Sequence, residues 1–273
     1  MRHVESDEEV YRLWDELCDF GAQASDEAAK YCMRRLCTWI DADNAFWIGA
    51  IRLTSGAQAR NDPMLGWRIG TINILDPSHV GGRQMRDGTL DTRSSDPGPT
   101  SRAMASGAGR FRVYRLLDGK LVDLNAFRNT AHYDRFYRKR GISDRIWAAF
   151  PVNDDTESYF CFDKYGEGRI FSEDDLNLVA QALRGIKWFH RHLLLSHGLH
   201  VSEEVLTRSE RRMLHELLSG ASEREIAARL HLTPGTVHQY TVRIFRKFGV
   251  SGRAEFMSLW LTGFPRSGNK NHY

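Results

Sequence analysis

Between Ile226 and Arg253 the chain carries five basic residues, Arg229, Arg243, Arg246, Lys247 and Arg253, and no Asp or Glu. The side chains around them suit a polyanion with readable edges. Arginine pairs with guanine or phosphate, glutamine pairs bidentately with adenine, and valine can touch a thymine methyl. At 100° per residue along PGTVHQYTVRIFRKFG, Gln239, Val242, Arg243 and Arg246 fall on one side, flanked by His238 and Lys247. Val237, Tyr240, Thr241, Ile244 and Phe248 fall on the other. If that second side docks on a core, the first is free to enter a major groove. Thr233 and Thr236 stand at the helix start, where hydroxyls, exposed N–H groups and the helix dipole favour phosphate. The net charge of the whole chain is only +3, so this cationic segment is set against a slightly acidic remainder.

A cationic amphipathic helix on its own is commonly just solvated; the elements that would position it argue further. In LTRSERRMLHELLSG, Thr207 followed by Glu210 gives a capping box, Met213, Leu214, Leu217 and Leu218 mark an apolar face, and Gly220 supplies the stop. SEREIAARLH repeats the device with Ser222 and Glu225, and Ile226, Ala227 and Leu230 form its buried stripe. After the turn HLT, Thr233 is placed as N-cap and Pro234 at the first helical position.

In order and spacing, LTRSE…LLSG…EIAARLHLTPGTVHQYTVRIFRKFGVSGRAE resembles the LuxR-type helix-turn-helix, over about the last fifth of the chain. The resemblance implies an all-α four-helix domain in a transcription regulator. Its third helix, 234–248, reads double-stranded DNA, and its last helix, 254–261, often pairs with a second copy, so a homodimer through that helix, the amino-terminal sensor domain or both is expected. Glu210, Gly220, Ile226, Ala227, Leu230, Thr236, Val237, Ile244, Lys247, Val250 and Arg253 stand at family positions, most of them structural. His238 stands where the family commonly has Lys, and Tyr240 where it commonly has His.

The first two hundred residues alternate in type. Residues 8–22 and 26–40 read as amphipathic helices, and NAFWIGAIRL and GWRIGTINIL read as a hairpin across the turn-forming TSGAQARNDP. The stretch 76–99 is a long Gly/Ser/Asp/Pro loop. A short helix at 100–106 precedes strands at 110–117, 144–152 and 158–165, with a helical HYDRFYRKRG between. From Ser172 a capped helix is expected to run on toward residue 195 as a connector. This is an α+β sensor-type order: an antiparallel sheet flanked by helices. TSRAMASGAGRFRVY, GISDRIWAAFPV and RIFSEDDLNLVAQAL are similar to pieces of the GAF domain, with another PAS-like sensor fold as the alternative. That resemblance implies small-molecule sensing on one face of the sheet, with Trp47, Trp67, Phe111, Tyr133, Tyr137 and Trp147 as candidate lining residues. The domains expected are a sensor over 1–185, a helical linker over 186–203, the helix-turn-helix domain over 204–263 and a disordered tail over 264–273.

Two alternatives stay open. One is a quorum-sensing regulator of the acyl-homoserine-lactone type, although its Trp-Tyr-Asp-Trp pattern does not align here beyond Asp76-Pro77. The other is a ligand-binding interaction module without DNA binding. The acidic pair, phosphoacceptor Asp and late Lys of a receiver domain are not found, and neither is any hydrolase, zinc-protease or kinase signature. No catalytic residue, cofactor or metal site is expected. His190, His192, His197 and His200 crowd the junction, where a solvated linker is the expectation and a proton or metal switch the alternative. Cys18, Cys32, Cys37 and Cys161 form no C-x-x-C pair. The opening MRHVESDEEVYRLW lacks the apolar core of a signal peptide, and no run of about 18 apolar residues follows. A soluble, cytoplasmic protein without a membrane partner is expected.

Overall fold

The computed structural model describes residues 2–53, 56–79, 97–199 and 206–261. They divide into two compact units. One runs to Asp19 and from Asp26 to His190; the other comprises Phe20–Ser25 and the chain from Arg191 onward.

The first unit is built on a five-stranded antiparallel sheet, β1 (Asn44–Arg52), β2 (Trp67–Ile74), β3 (Arg112–Arg115), β4 (Ile142–Asn153) and β5 (Thr156–Tyr165), in the order β2-β1-β5-β4-β3. The α+β architecture read from the sequence is the one found. In the register, Phe46 and Trp147 both stand beside Cys161, and Ile48 and Ala149 beside Tyr159. Side chains alternate along each strand, so these six share one face. Ile146, Phe160 and Phe162 take the other and are fully buried. The central strands β4 and β5 are thus covered on both sides, which explains why nearly every residue along them is buried.

Helices α1 (Arg2–Cys18) and α2 (Ser25–Ile40) bury Val10, Leu13 and Leu17, and Cys32, Leu36 and Ile40, at helical spacing. The first helix starts earlier than residue 8 and stops before Phe20, because Gly21 follows in extended conformation. A short helix α3 (Gly56–Arg60) occupies the segment read as a turn. Among the described residues, the helices α4 (Gly98–Ser106), α5 (Leu124–Arg128) and α6 (Ala131–Phe136) lie between β2 and β4. The α5 helix has no apolar stripe to announce it. Its N-cap is Asp123, whose carboxylate accepts from the N–H groups of Asn125 and Ala126. Most of the loop read over 76–99 lies outside the described residues.

The continuous helix expected after Ser172 is two helices, α7 (Glu173–Arg184) and α8 (Lys187–Ser196). Ser172 and Asp175 form a reciprocal capping box at its start. The break falls at Gly185, against which the Trp14 ring packs so closely that a Cβ would meet it at 2.4 Å. Trp14 also donates its Nε1–H to the Ala182 carbonyl at 2.8 Å. Two of the junction histidines are buried rather than solvated. His190 is 1% and His197 2% exposed, His192 is half-buried, and His200 lies outside the described residues. His197 is joined to Arg211 at 2.9 Å.

The second unit holds α9 (Arg208–Leu218), α10 (Glu223–Leu230), α11 (Pro234–Phe248) and α12 (Arg253–Leu261). Both expected capping boxes, Thr207/Glu210 and Ser222/Glu225, are formed. Met213, Leu214, Leu217, Ile226, Val237, Ile244, Phe248 and Phe256 make one core. Residues of positive φ set the turns, Gly220 (φ 82°) after α9, His231 (φ 55°) after α10 and Gly249 (φ 65°) after α11. Among the described residues no helix is long and apolar enough to cross a membrane.

Candidate nucleic-acid interface and ligand cavity

The interface grows from the way α11 is anchored. Thr233, in extended conformation, accepts from the Thr236 N–H at 3.2 Å, and the two hydroxyls meet at 2.9 Å. One side of the helix is then buried: Val237, Thr241, Ile244 and Phe248. Thr241 tolerates burial because its hydroxyl donates to the Val237 carbonyl one turn back. Tyr240, half-buried, packs against the same core. Arg253 fastens the last helix by donating to the carbonyls of Leu217 and Ala221.

With that side fixed, His238, Gln239, Val242, Arg243 and Arg246 stand together on the exposed side and line one shallow surface groove. Val242 is 52% exposed, an apolar side chain held in water between two arginines and a glutamine. His238 Nδ1 lies 3.3 Å from Glu223 Oε1 on α10. Arg243 lies over the Tyr240 ring at 5.6 Å. Thr233 is exposed and Thr236 half-buried at the helix start. Lys247 sits apart from this group: its Nζ bonds Glu210 Oε2 at 2.9 Å, and its side chain is only 13% exposed. Burial pushes the Glu210 carboxyl up, but the Thr207 N–H and the Lys247 ammonium more than offset it and hold its pKa below the usual glutamate range. Lys247 therefore ties α11 to α9.

In the first unit, the face of the sheet bearing Phe46, Ile48 and Tyr159 borders a cavity of about 540 Å³, with Thr100 and Met104 of α4 also in its wall. Of the aromatics singled out from the sequence, Trp67, Tyr137 and Trp147 line it. Tyr133 stacks behind Tyr137, with ring centroids 5.6 Å apart. Phe111 packs edge-on against Phe150. Trp47 lies on the opposite face of the sheet, where its Nε1–H donates to Ser158 Oγ at 2.7 Å.

The cavity also contains charges that the sequence reading passed over. Arg145 Nε and Nη2 bond the two carboxylate oxygens of Asp163, and Phe46, Tyr137 and Trp147 surround the guanidinium at 4.9, 5.0 and 5.7 Å. Burial works against the charge on Arg145, and Asp163 more than offsets it, so the guanidinium is held ionised. Arg140 borders the same end, while Asp62 and Arg68 pair at 2.7 Å elsewhere in the wall. Behind the wall, Arg112 grips Glu157 through two bonds of 2.9 and 2.8 Å, almost wholly buried. The available signal was a charge inside an otherwise apolar strand: Arg145 in DRIWAAFPV and Asp163 in SYFCFDKY.

Residues 204–260 match the family model described as bacterial regulatory proteins, luxR family. The carboxy-terminal domain is a luxR-family helix-turn-helix domain. The nitrate/nitrite response regulator protein NarP of Escherichia coli (strain K12) is 27% identical over 193 residues, covering 65% of this chain and 89% of the relative. The probable HTH-type transcriptional regulator GfsR of Streptomyces halstedii is 37% identical over 68 residues. That match covers 25% of this chain, which spans 28% of the relative's length. Among solved structures, SdiA in complex with octanoyl-rac-glycerol is similar over 94% of this chain and 93% of that one, with a TM-score of 0.41 and 13% identity. Within the luxR-family domain, the exposed face of α11 and the buried Glu210–Lys247 pair divide the basic residues into two roles. The first is free to meet a ligand; the second holds the domain together.

Proposed function

We propose that this protein is a sequence-specific DNA-binding transcription regulator whose activity is set by a small molecule in the amino-terminal cavity. The observation that carries the DNA reading is the composition of one helix face. Gln239, Val242, Arg243 and Arg246 are exposed together on a helix whose opposite side is locked into a core. Such a helix can enter a major groove without the domain rearranging, and its side chains suit adenine, thymine methyl and guanine or phosphate. Thr233, Thr236 and His238 sit where the phosphate backbone would flank it. Regulators in the luxR family support the role, and a reducing cytoplasm, where its DNA would be found, suits four cysteines that are all free. The proposed role is binding rather than catalysis. Pairing of two copies through α12 would present two reading helices to a two-fold operator. Leu261, at the end of that helix, is 87% exposed.

The test is selection of bound duplexes from a genomic fragment pool. The wild type is expected to enrich a short consensus, and Gln239→Ala to relax it at one position, with a cost of about 1–3 kcal/mol there. No enrichment, or an unchanged consensus in the variant, would count against the reading. Sedimentation of the protein with and without the selected duplex reports whether two copies assemble.

A further inference from the structure

The next inference rests on the reading of this protein as a DNA binder and concerns a second cationic surface, carried by the first unit. Between Leu124 and Ile142 the sequence holds Arg128, Arg135, Arg138, Lys139 and Arg140 against one acid, Asp134. The segment is firmly built. Asp123 caps α5, and Thr130 caps α6 by accepting from the Tyr133 N–H at 3.1 Å. Phe127 and Tyr137 are buried beneath, with ring centroids 5.2 Å apart. Arg128, Arg135, Arg138 and Lys139 are exposed, so four accessible cations stand against one carboxylate. Asp134 is shared by Arg138 at 3.1 Å and Lys139 at 3.2 Å, and those two side chains are still 62% and 71% exposed. Arg138 also donates to the Arg128 carbonyl at 3.3 Å, which draws the end of α5 to the same place.

Aromatic rings support two of the guanidiniums. Arg138 lies over Tyr133 at 5.5 Å and Arg135 over Phe136 at 5.1 Å. An arginine held against a ring has less freedom to lose on binding, and its N–H edges stay available to an oxyanion such as phosphate. What the surface lacks separates its partners. A protein interface or a bilayer anchor would add exposed apolar side chains to the charge. Among the described residues, none of the large exposed apolar side chains lies between 124 and 142. A cationic, hydrogen-bonding surface without an apolar anchor matches the phosphate backbone of duplex DNA, where contacts add affinity and read no sequence. We propose that the first unit binds the DNA phosphate backbone through Arg128, Arg135, Arg138 and Lys139. This surface supplies sequence-independent affinity, and selection of the site stays with α11.

The experiment titrates the full chain against a long duplex with the selected consensus at its centre, over a range of salt concentrations. The variant Arg128→Gln/Arg135→Gln/Lys139→Gln leaves Arg138 to hold Asp134, and its melting temperature is checked first. It is expected to bind more weakly at low salt, with a log–log salt slope smaller by about 2 to 3, and to select the same consensus as the wild type. Arg128→Lys/Arg135→Lys keeps the charges and is expected to keep most of the wild-type slope. An unchanged slope in the glutamine variant overturns the proposal and leaves the reading of α11 in place. So does an equal loss of slope in the lysine variant, which would trace the effect to something other than charge. Vesicles of phosphatidylserine and phosphatidylcholine that bind the wild type and not the glutamine variant, with duplex affinity the same in both, overturn it in favour of a membrane surface. No duplex binding by the wild type overturns it together with the DNA reading.

Discussion

A chain of three buried hydrogen bonds fixes the protonation of one residue in the first unit. The Trp47 indole donates to Ser158 Oγ at 2.7 Å, and His190 joins Ser158 through Nδ1 at 2.8 Å and the Leu183 carbonyl through Nε2 at 2.9 Å. A carbonyl can only accept, so Nε2 carries the proton, Nδ1 is the acceptor, and the Ser158 hydroxyl donates to it. Burial pushes the His190 pKa down to about 4, with the Leu183 bond opposing. The native state therefore stays neutral while the unfolded state takes up a proton near the ordinary value of about 6.5. Stability is full above that value and falls as pH drops from about 6.5 through about 4, by roughly 3 kcal/mol in total. His190→Phe keeps the stack on Phe150, 4.4 Å between ring centroids, and removes the titrating nitrogen. Urea midpoints measured across that range should show a flatter acid limb in the variant; identical slopes would remove His190 as the cause. In the second unit, Lys247→Met should cost about 1–3 kcal/mol through loss of the buried bond to Glu210. Because the Glu210 pKa is lowered, the contribution of its charged form is present above the usual glutamate range of about 4.3 and is lost as pH falls through the lowered value. Arg243→Ala and Arg246→Ala, which alter exposed side chains, should leave the melting temperature of the protein nearly unchanged.

At the scale of elements, the break between α7 and α8 depends on a residue without a side chain. Gly185→Ala would drive a Cβ into the Trp14 ring and should destabilise the first unit by about 1–3 kcal/mol, read as a lower melting temperature. A neutral outcome would mean that Trp14 can turn aside. The turn between α10 and α11 poses the opposite case. His231 holds a left-handed conformation that favours glycine, so His231→Gly should be neutral or stabilising by about 0.5–1 kcal/mol. The helices of the second unit were legible in the sequence because each declares itself twice, by a cap and by an apolar stripe. Thr207 with Glu210, Ser222 with Glu225 and Thr233 with Pro234 mark starts that the structure keeps to the residue. The strands were legible from β-branched and aromatic runs. What stayed hidden has long-range causes. Nothing local to Gly185 forecasts the break, since the ring that packs there comes from α1. The Arg145–Asp163 pair joins two strands whose register is fixed only in the sheet, and periodicity alone does not tell which face Trp47 takes. Lys247 reads as one more basic residue until Glu210 is placed beside it.

The molecule as a whole combines a sheet unit with an aromatic-walled, charged cavity and a unit holding a luxR-family domain with one exposed polar helix face. If the cavity responds to a ligand, a bound small molecule at a hundredfold excess over its dissociation constant should raise stability by about 2.7 kcal/mol, seen as a shift in the melting of the full chain. The central claim, however, concerns duplex DNA and the face made by Gln239, Val242, Arg243 and Arg246. Its most direct test is a fluorescence-anisotropy titration of a selected duplex at several salt concentrations, with wild type, Arg243→Ala and Arg246→Ala side by side. Affinity is expected to fall linearly in log–log form with salt, with a slope near −0.9 for each phosphate neutralised. Each substitution should weaken binding, by about 1–3 kcal/mol where the arginine meets a base, or with a salt slope smaller by about one where it meets a phosphate. Binding that is indifferent to salt and unchanged by both substitutions would contradict the assignment of this face to DNA.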